Sequence, residues 1–333
     1  MCFFSYSLLE VKCVLRRMYL KKILICVSAL FVLFLIYLFP SESVNKLESV
    51  RKEVVFVNSS VITNDIFLLD SHNMVSLTSV MVGSDDIESK VKELLESLIV
   101  GSSREDLIPN GFKPIIPSDT KILSVGIDGG IVKVDFSEDI FDIDVSLEEK
   151  MISSIVYTLT SIDGIDGVII YVEGNILNKL PKSLINLPST LDRSFGINKD
   201  YDVTSSKNIN SVTTYFVGKN NNEYYYIPVT KYMNDDREKI KIVIEELGSS
   251  NVYNTNLMSF LNSNVKLLSV EKSMDVLNLN FNEYLYSDLD THDVLEEVIY
   301  TICLSVHDNY DVKEVIFNVN NEEIYKSVIK SLE

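Results

Sequence analysis

The histidines and cysteines are the first residues to examine for chemistry, because they supply most general bases and soft metal ligands. The three histidines are His72, His292 and His307. None stands at a ligand-like spacing from another histidine or from a cysteine, so the pattern predicts scattered surface histidines and no zinc site. Beyond residue 39 the only cysteine of the sequence is Cys303, which falls in an apolar helical pattern. We expect it to pack in a core, without a disulfide.

An acidic stretch, DFSEDIFDID at residues 135–144, is the second candidate. Closely spaced carboxylates can bind calcium, but this stretch lacks the glycine and the terminal glutamate of an EF-hand loop. A related stretch further along the chain replaces Asp135 with Asn280 and Asp139 with Tyr284. We therefore interpret the charge as a solvated loop leading into a helix N-terminus, where negative groups are favoured. The sequence predicts no metal here.

Nucleophilic and phosphate-binding motifs are also missing from the sequence. No G-x-S-x-G occurs, and no histidine is placed to activate a serine. The segments GIDGG and IDGIDG lack the frame of a phosphate-binding loop and predict turns. We expect a protein that is not an enzyme and that uses no cofactor.

Tyrosines in the segment NEYYYIPVTKY are the candidate contact residues. Strand alternation places Tyr225 on the opposite face from Tyr224 and Tyr226, and Tyr232 follows further along. Tyrosine is favoured at interfaces because it is amphipathic and rigid. Packing in the core and at a sheet edge accounts for the cluster without any functional role. Contact of Tyr224, Tyr226 and Tyr232 with a partner protein or a glycan is the functional alternative.

The elements that must position these residues occur twice in the chain. Residues 121–141, KILSVGIDGGIVKVDFSEDIF, align without a gap with residues 266–286, KLLSVEKSMDVLNLNFNEYLY, at an offset of 145. Each stretch predicts a β-hairpin with one apolar face. Other elements recur in the same order: the strand Tyr215–Val217 with Val55–Val57, the helical stripe from Ile240 with that from Val91, the stripe from Leu295 with that from Ile152, and the run 315–319 with 168–172.

This recurrence predicts a tandem duplication. Each copy reads β-β-α-β-β-α-β, so the fold class is α+β, with two two-layer domains in which helices cover a sheet. The predicted boundaries are 53–178 for the first domain, 179–210 for a linker and 211–333 for the second domain. Residues 321–333 predict a short terminal helix.

One membrane anchor precedes the copies. Segment 23–39, ILICVSALFVLFLIYLF, is uncharged, and at 1.5 Å per residue it would span roughly 26 Å, close to a bilayer core. Lysines and arginines before it place residues 1–22 in the cytoplasm. Residues 40–52 then form a tether. A cleaved signal peptide is the alternative, although no A-x-A-like site follows. The net charge of −18 argues against nucleic acid as a partner.

The combination of elements resembles the GerMN domain of sporulation and spore germination proteins. The segments that carry the resemblance are YFVGKNNNEYYYIPVT, EKIKIVIEEL, KLLSVEKSMDVLNLNFNEYL and VIYTICLSV in the second copy and KVKELLESLIVGSS, KILSVGIDGGIVKVDFSEDIF and IVYTLTSIDGIDGVIIYVEGN in the first.

The resemblance implies a fold similar to the ring-building modules of secretion systems, and an extracytoplasmic protein of sporulation without catalytic residues. It also implies envelope partners, among them components of the channel between mother cell and forespore. We therefore predict a single-pass membrane protein that docks onto other envelope proteins. The alternative is a module that binds peptidoglycan or a small ligand at the cell wall.

Overall fold

The computed structural model describes residues 63–221, 223–249 and 257–328. The predicted anchor at 23–39, the tether at 40–52 and the strand Val55–Val57 lie outside the described residues. Within the described ranges, no helix is long and apolar enough to cross a membrane.

The first copy has the predicted order of elements. They are β1 (Thr63–Leu69), β2 (Val75–Met81), α1 (Ile87–Ser97), β3 (Ile122–Asp128), β4 (Ile131–Phe136), α2 (Val145–Leu159), β5 (Gly167–Val172) and β6 (Asn175–Ile176). The β3–β4 turn falls at Gly129 and Gly130, whose φ angles of 57° and 79° are those that a two-residue hairpin turn requires. The hairpin predicted from the D-G-G segment is confirmed.

The linker contributes one short strand, β7 (Asp200–Asp202), before the same order returns. The elements of the second copy are β8 (Asn210–Asn220), β9 (Glu223–Met233), α3 (Lys239–Gly248), β10 (Leu267–Ser273), β11 (Val276–Phe281), α4 (Glu296–Asn309), β12 (Glu314–Val319) and β13 (Glu322–Val328). The duplicated α+β order is therefore confirmed.

The predicted terminal helix is wrong, because the chain forms strand β13 there, antiparallel to β12. Asn320 and Asn321 have φ angles of 51° and 71°. Two consecutive left-handed residues make a tight hairpin turn, and asparagine tolerates that conformation better than most residues. The turn returns the chain along β12 instead of letting a helix start.

Each copy contains a small four-stranded sheet, with the orders β3-β4-β5-β6 and β10-β11-β12-β13. Their registers match, because Ile122 lies opposite Phe136 and Leu267 opposite Phe281. An irregularity follows Ile122 and Leu267 alike, so the strand bulges at the next residue in both copies. The gapless alignment of the two hairpins is thus a structural equivalence.

The first hairpins of the two copies do not stay within separate domains. They join in one sheet with the order β1-β2-β9-β8, in which Leu77 of β2 lies opposite Tyr226 of β9, and β7 also pairs with β9. We call this the shared sheet. Helix α2 packs against both β1 of the shared sheet and β5 of the small sheet, so it is buried on more than the single stripe that was predicted. The description as two separate two-layer domains is too simple.

The predicted alignment of α4 with α2 is wrong by one helical turn. Thr158 of α2 accepts a hydrogen bond from the backbone N–H of Phe67, and Ser305 of α4 accepts one from that of Tyr215. These contacts make Thr158 and Ser305 equivalent, whereas the predicted alignment paired Ile152 with Leu295, which is the exposed residue before α4. A shift of four residues is about one turn and preserves an apolar stripe, so periodicity could not detect the error.

The first strands of the two copies were also misaligned. Tyr215 is the equivalent of Phe67, as the helix contacts show, so Tyr215–Val217 matches residues 67–69. The predicted counterpart, Val55–Val57, precedes the described residues. Both segments are short apolar runs, and apolarity alone does not distinguish them.

Candidate functional site

The outer strands of the shared sheet are closed by helices. On β1, the Phe67 N–H donates to Thr158 Oγ1 at 2.9 Å and the Ser154 hydroxyl donates to the Phe67 carbonyl. On β8, the Tyr215 N–H donates to Ser305 Oγ at 2.9 Å. The Asn309 side-chain amide accepts the Thr213 N–H and donates to the Thr213 carbonyl. An edge strand whose backbone groups are satisfied cannot accept an added strand.

In each copy, a pair of backbone hydrogen bonds satisfies a further residue of the same strand edge. Leu69 of β1 exchanges two hydrogen bonds with Lys113, at 3.0 and 2.8 Å, and Val217 of β8 exchanges two with Met258, both at 2.8 Å. These hydrogen-bonded pairs lie just beyond the helix contacts on the same strands. Among the described residues, the shared sheet therefore has no long free edge for a partner strand.

A buried ion pair joins the linker to the second copy. The Arg193 guanidinium contacts the Asp308 carboxylate, whose side chain is 1% exposed, while that of Arg193 is 17% exposed. Tyr215 donates its hydroxyl to Asp308 Oδ2 at 2.9 Å, and the His307 ring lies 3.1 Å from Oδ1. On the side of the first copy, the Tyr157 hydroxyl donates to the Arg193 carbonyl at 3.0 Å. This network connects both copies through the linker.

Electrostatics hold the pair in its charged form. Burial acts to raise the pKa of Asp308, but the nearby Arg193 guanidinium and the hydrogen bonds from His307 and Tyr215 keep that pKa below its ordinary value. Burial raises the pKa of Tyr157 and Tyr215 well above the usual range for a phenol, and the Asp308 charge adds to the effect. Both phenols therefore stay neutral hydrogen-bond donors at any physiological pH.

Two clefts flank the junction of the copies, with volumes of about 660 and 530 Å³. In the larger cleft, two lysines form ion pairs with two glutamates: Lys199 contacts Glu149 at 2.7 Å, and Lys231 contacts Glu246 at 2.8 Å. The smaller cleft is lined by residues of both copies and of the linker, among them Asp166, Arg193, Tyr215, Tyr300 and His307.

The histidines of the described residues lie in three separate environments. His72 lies in the exposed turn between β1 and β2, His292 packs on the Tyr286 ring at 4.8 Å, and His307 contacts Asp308. Among the described residues, no group of three or more histidine, cysteine, aspartate and glutamate side chains is arranged to hold a metal ion. Cys303 is 8% exposed, and burial raises the pKa of its thiol to about 11. Its predicted packing in the core is confirmed.

Carboxylates of the acidic stretch have separate partners. Asp135 accepts the Gly174 N–H at 3.1 Å, Asp139 accepts the Ser137 hydroxyl at 2.8 Å, and Asp144 caps α2 by accepting the Ser146 N–H at 2.8 Å. The helix N-terminus that was predicted after this stretch is present, and Asp144 is its cap.

The predicted contact tyrosines do not form one continuous surface. Tyr225 is buried and donates its hydroxyl to Asp70 at 2.9 Å. Of the three candidates, Tyr224 is 43% exposed and packs on Phe260, while Tyr226 and Tyr232 are partly buried. Tyr226 lies near Tyr300, and Tyr232 stacks on Tyr201 at 5.1 Å and donates to the Phe195 carbonyl. Tyr224 and Tyr232 stand eight residues apart on β9, roughly 26 Å. Their role in partner contact stays a prediction.

Sequence reasoning missed the ion pair because its members come from the linker and from the far end of α4. Neither Arg193 nor Asp308 belongs to a periodic pattern or a motif. The only available signal was an isolated arginine in a linker that otherwise contains many asparagines and serines.

Comparison with known proteins gives matches to both copies. The sequence profile of the Germane family, described as "Sporulation and spore germination", matches residues 65–178 and 213–325. The chain is 29% identical over 273 residues to the spore germination protein GerM of Bacillus subtilis (strain 168), which covers 79% of this chain and 73% of that protein. Among solved structures, it resembles the tandem GerMN domains of the B. subtilis sporulation protein GerM, with a TM-score of 0.72, 27% identity, and coverage of 79% of this chain and 92% of that one.

Proposed function

Since this chain belongs to the Germane family of sporulation and spore germination proteins, we propose that it is a non-enzymatic docking protein of the sporulating cell envelope. In this proposal residues 23–39 hold it in the membrane as a single-pass anchor, with residues 1–22 in the cytoplasm. The two copies then lie outside the cytoplasm and contact other envelope proteins, including components of the channel between mother cell and forespore.

Support for a non-enzymatic role comes from the way in which the reactive side chains are used. The carboxylates of the acidic stretch bind neighbouring backbone or hydroxyl groups, and Cys303 is a buried thiol with a raised pKa. His307 contacts a carboxylate that is already engaged by Arg193 and Tyr215. General acid–base chemistry needs titratable groups that are available to a substrate, and each of these groups is buried or already engaged by a neighbouring group of the protein.

Support for docking comes from the junction of the copies. The shared sheet and the buried Arg193–Asp308 pair fix the second copy against the first. Two modules that are held in one orientation present their outer surfaces at a constant separation, which lowers the entropy lost when both engage a partner.

Deletion of the coding sequence in its own spore-forming host tests the proposed role. We expect fewer heat-resistant spores or slower loss of optical density after addition of germinant. A deletion strain with the spore titre and germination rate of the parent would refute a role in sporulation and germination.

The anchor and the non-enzymatic role are tested by complementing that strain. Replacing residues 1–39 with a cleavable signal peptide should fail to restore spores if membrane attachment is required. His307→Gln and Asp166→Asn variants should restore spores fully, because neither group is proposed to do chemistry. Failure of both variants, with folding intact by circular dichroism, would indicate an active site in the smaller cleft.

Binding of peptidoglycan or a small ligand is the second candidate function. The observation that favours it is the smaller cleft of about 530 Å³, where Tyr215 and Tyr300 lie beside acidic and basic side chains. A site of that size and mixed character suits a polar ligand with an apolar part. Sedimentation of the full chain with purified wall material tests it; strong retention that Tyr300→Ala abolishes would favour this candidate over docking.

A further inference from the structure

The two small sheets differ on the face that points away from their helices. In the first copy, the inner face carries Val132, Val134 and Phe136, all fully buried. The pairing register places the alternate residues on the opposite face. We call this opposite face the copy-1 open face; among its residues are Gly126, Ile131, Lys133, Ile169, Tyr171 and Ile176.

The second copy has the same register and a more polar face, on which Val276 and Ile316 are the apolar residues of β11 and β12. Gly126 pairs with Lys133, and the equivalent pair is Glu271 with Asn278. Tyr171 pairs with Asp135, and the equivalent pair in the second copy is Asn318 with Asn280. Gly167 at the start of β5 is likewise replaced by Glu314 at the start of β12.

Amides on the second face bind one another. Asn280 donates to the Asn321 side chain at 2.8 Å and accepts the Asn321 N–H at 2.9 Å, and Asn318 donates to the Leu279 carbonyl at 3.3 Å. Polar residues at these positions are therefore compatible with this sheet. The fold therefore does not require Tyr171 or Ile176, because Asn318 and Glu323 stand at the same register in the second copy. Ile131 and Ile169, in contrast, have the apolar counterparts Val276 and Ile316.

The copy-1 open face is accessible within the described residues. A Cβ atom built on Gly126 would meet no atom within 4 Å, so the space above this position of the edge strand β3 is free. Ile176 is 41% exposed at the margin, and Ile169 and Tyr171 are partly exposed. Apolar side chains that solvent reaches, and that the equivalent sheet replaces with polar ones at Tyr171 and Ile176, are typical of an interaction site.

Charge around the patch favours one kind of occupant. Lys133 is paired with Asp128 at 2.9 Å, which leaves Asp135 within the patch and Asp166 and Glu173 at the two ends of β5. A second copy of this chain would bring the same negative charge against it, and the chain as a whole carries −18. Like charges at an interface oppose association.

We propose that the copy-1 open face docks a segment of a partner protein whose apolar side chains are flanked by lysine or arginine. Tyr171 and the isoleucines contact the apolar side chains, and the surrounding carboxylates select the basic flanks. The face is a better candidate than the edges of the shared sheet, where helices engage the backbone, and than the edges at β3 and β10, where a bulge disfavours strand addition. This inference rests on the proposed docking function and names its surface.

Site-specific crosslinking in sporulating cells tests the proposal. The full chain carries the photoreactive residue p-benzoylphenylalanine at position 171 in one strain and at position 318, the matched control, in another. We expect position 171 to crosslink to a protein segment with apolar residues flanked by lysine or arginine, and position 318 to give at least about tenfold less product. Mass spectrometry of the adduct identifies the segment.

The residues of the second copy provide conservative variants. Gly126→Glu and Tyr171→Asn each introduce the residue found at the same register in the second copy, so both should unfold at the wild-type temperature. A synthetic peptide of the crosslinked segment should bind either variant at least about tenfold more weakly than the wild-type chain, as is common when the centre of an interface is changed. Asn318→Ala, on the other face, should bind the peptide as the wild type does.

Several results would overturn the proposal. One is an adduct at position 171 with a second copy of the chain, with lipid or with glycan, and another is an adduct with an acidic or wholly polar segment. The others are the absence of any adduct and an unchanged peptide affinity in Gly126→Glu. If the deletion strain sporulates poorly while Gly126→Glu and Tyr171→Asn sporulate normally, the docking surface is wrong and the role in sporulation stands. If the deletion strain sporulates and germinates normally, the proposed function itself fails.

Discussion

Replacing Asp308 with asparagine is the most direct test of how the two copies are held together. The change keeps the shape of the side chain and removes the charge that faces Arg193 in a site where the carboxylate is 1% exposed. Both partners are less than a third exposed, so solvent does little to screen the pair. Removing one member of a buried ion pair leaves the other buried and unpaired, at a cost of about 3–5 kcal/mol in the free energy of unfolding.

That cost can be measured by thermal and urea unfolding of the purified chain, followed by circular dichroism. For a chain of this size, about 2–4 °C in melting temperature accompanies each kcal/mol, so we expect Asp308→Asn to melt about 6–20 °C lower. Glu88→Gln is the matched control, because its ion pair with Lys92 is about half exposed and should contribute about 0.5 kcal/mol or less.

A double-mutant cycle separates pairing from other effects. Arg193→Met should also destabilise the protein, but Arg193→Met combined with Asp308→Asn should cost less than the sum of the two, because no charge is then left unpaired. If the two costs simply add, or if Asp308→Asn costs less than about 1 kcal/mol, the pair does not stabilise the junction and the reasoning is refuted.

The same pair has a predictable dependence on pH. The pKa of Asp308 is lowered in the folded protein, so its contribution to stability is complete above the ordinary carboxyl pKa of about 3.9. It is lost as the pH falls through the lowered folded value. The part of the difference in melting temperature between wild type and Asp308→Asn that comes from ionisation of this carboxyl should therefore shrink only below about pH 4.

Three further predictions concern single buried contacts. Cys303, whose thiol pKa is raised to about 11, should react with a thiol reagent at pH 8 far more slowly in the native chain than in urea; equal rates would contradict its burial. Thr158→Val and Ser305→Ala each leave a buried strand N–H without its hydroxyl partner. Each should lower the free energy of unfolding by about 1–3 kcal/mol when unfolding is measured in urea. A destabilising effect of only one of the two substitutions would contradict the equivalence of Thr158 and Ser305. Gly218→Ala places a methyl group 2.4 Å from the Tyr225 ring and should lower the melting temperature, whereas no change would mean that the ring moves without cost.

Elements that depend on neighbouring residues were predictable from the sequence. The hairpin at Gly129 and Gly130, the burial of Cys303 and the order of elements in each copy all follow from turn residues or from periodicity. A gapless alignment of 21 residues also detected the duplication, because the sheet register in both copies, including its bulge, is carried by that segment.

Errors arose where local patterns fit more than one arrangement. The apolar stripe beginning at Leu295 allows two alignments of α4 with α2 that differ by one helical turn. Only the contact of Ser305 with Tyr215 distinguishes the two alignments. Residues 322–328 were predicted as helix, although the Asn320–Asn321 turn sends them along β12 as a strand. In both cases a tertiary contact decided between alternatives of similar local preference.

By itself the sequence determined that the chain repeats one α+β unit, because the same spacing of apolar residues and turn residues occurs in both copies. Tertiary structure alone decided that the first hairpins merge into a shared sheet, that Arg193 meets Asp308, and that the open face of one small sheet is more apolar than that of the other. These features depend on groups that are more than 100 residues apart or on pairing across strands. A local pattern does not identify the distant partner that pairs with a backbone group or a charge, because that pairing forms only when the whole chain packs.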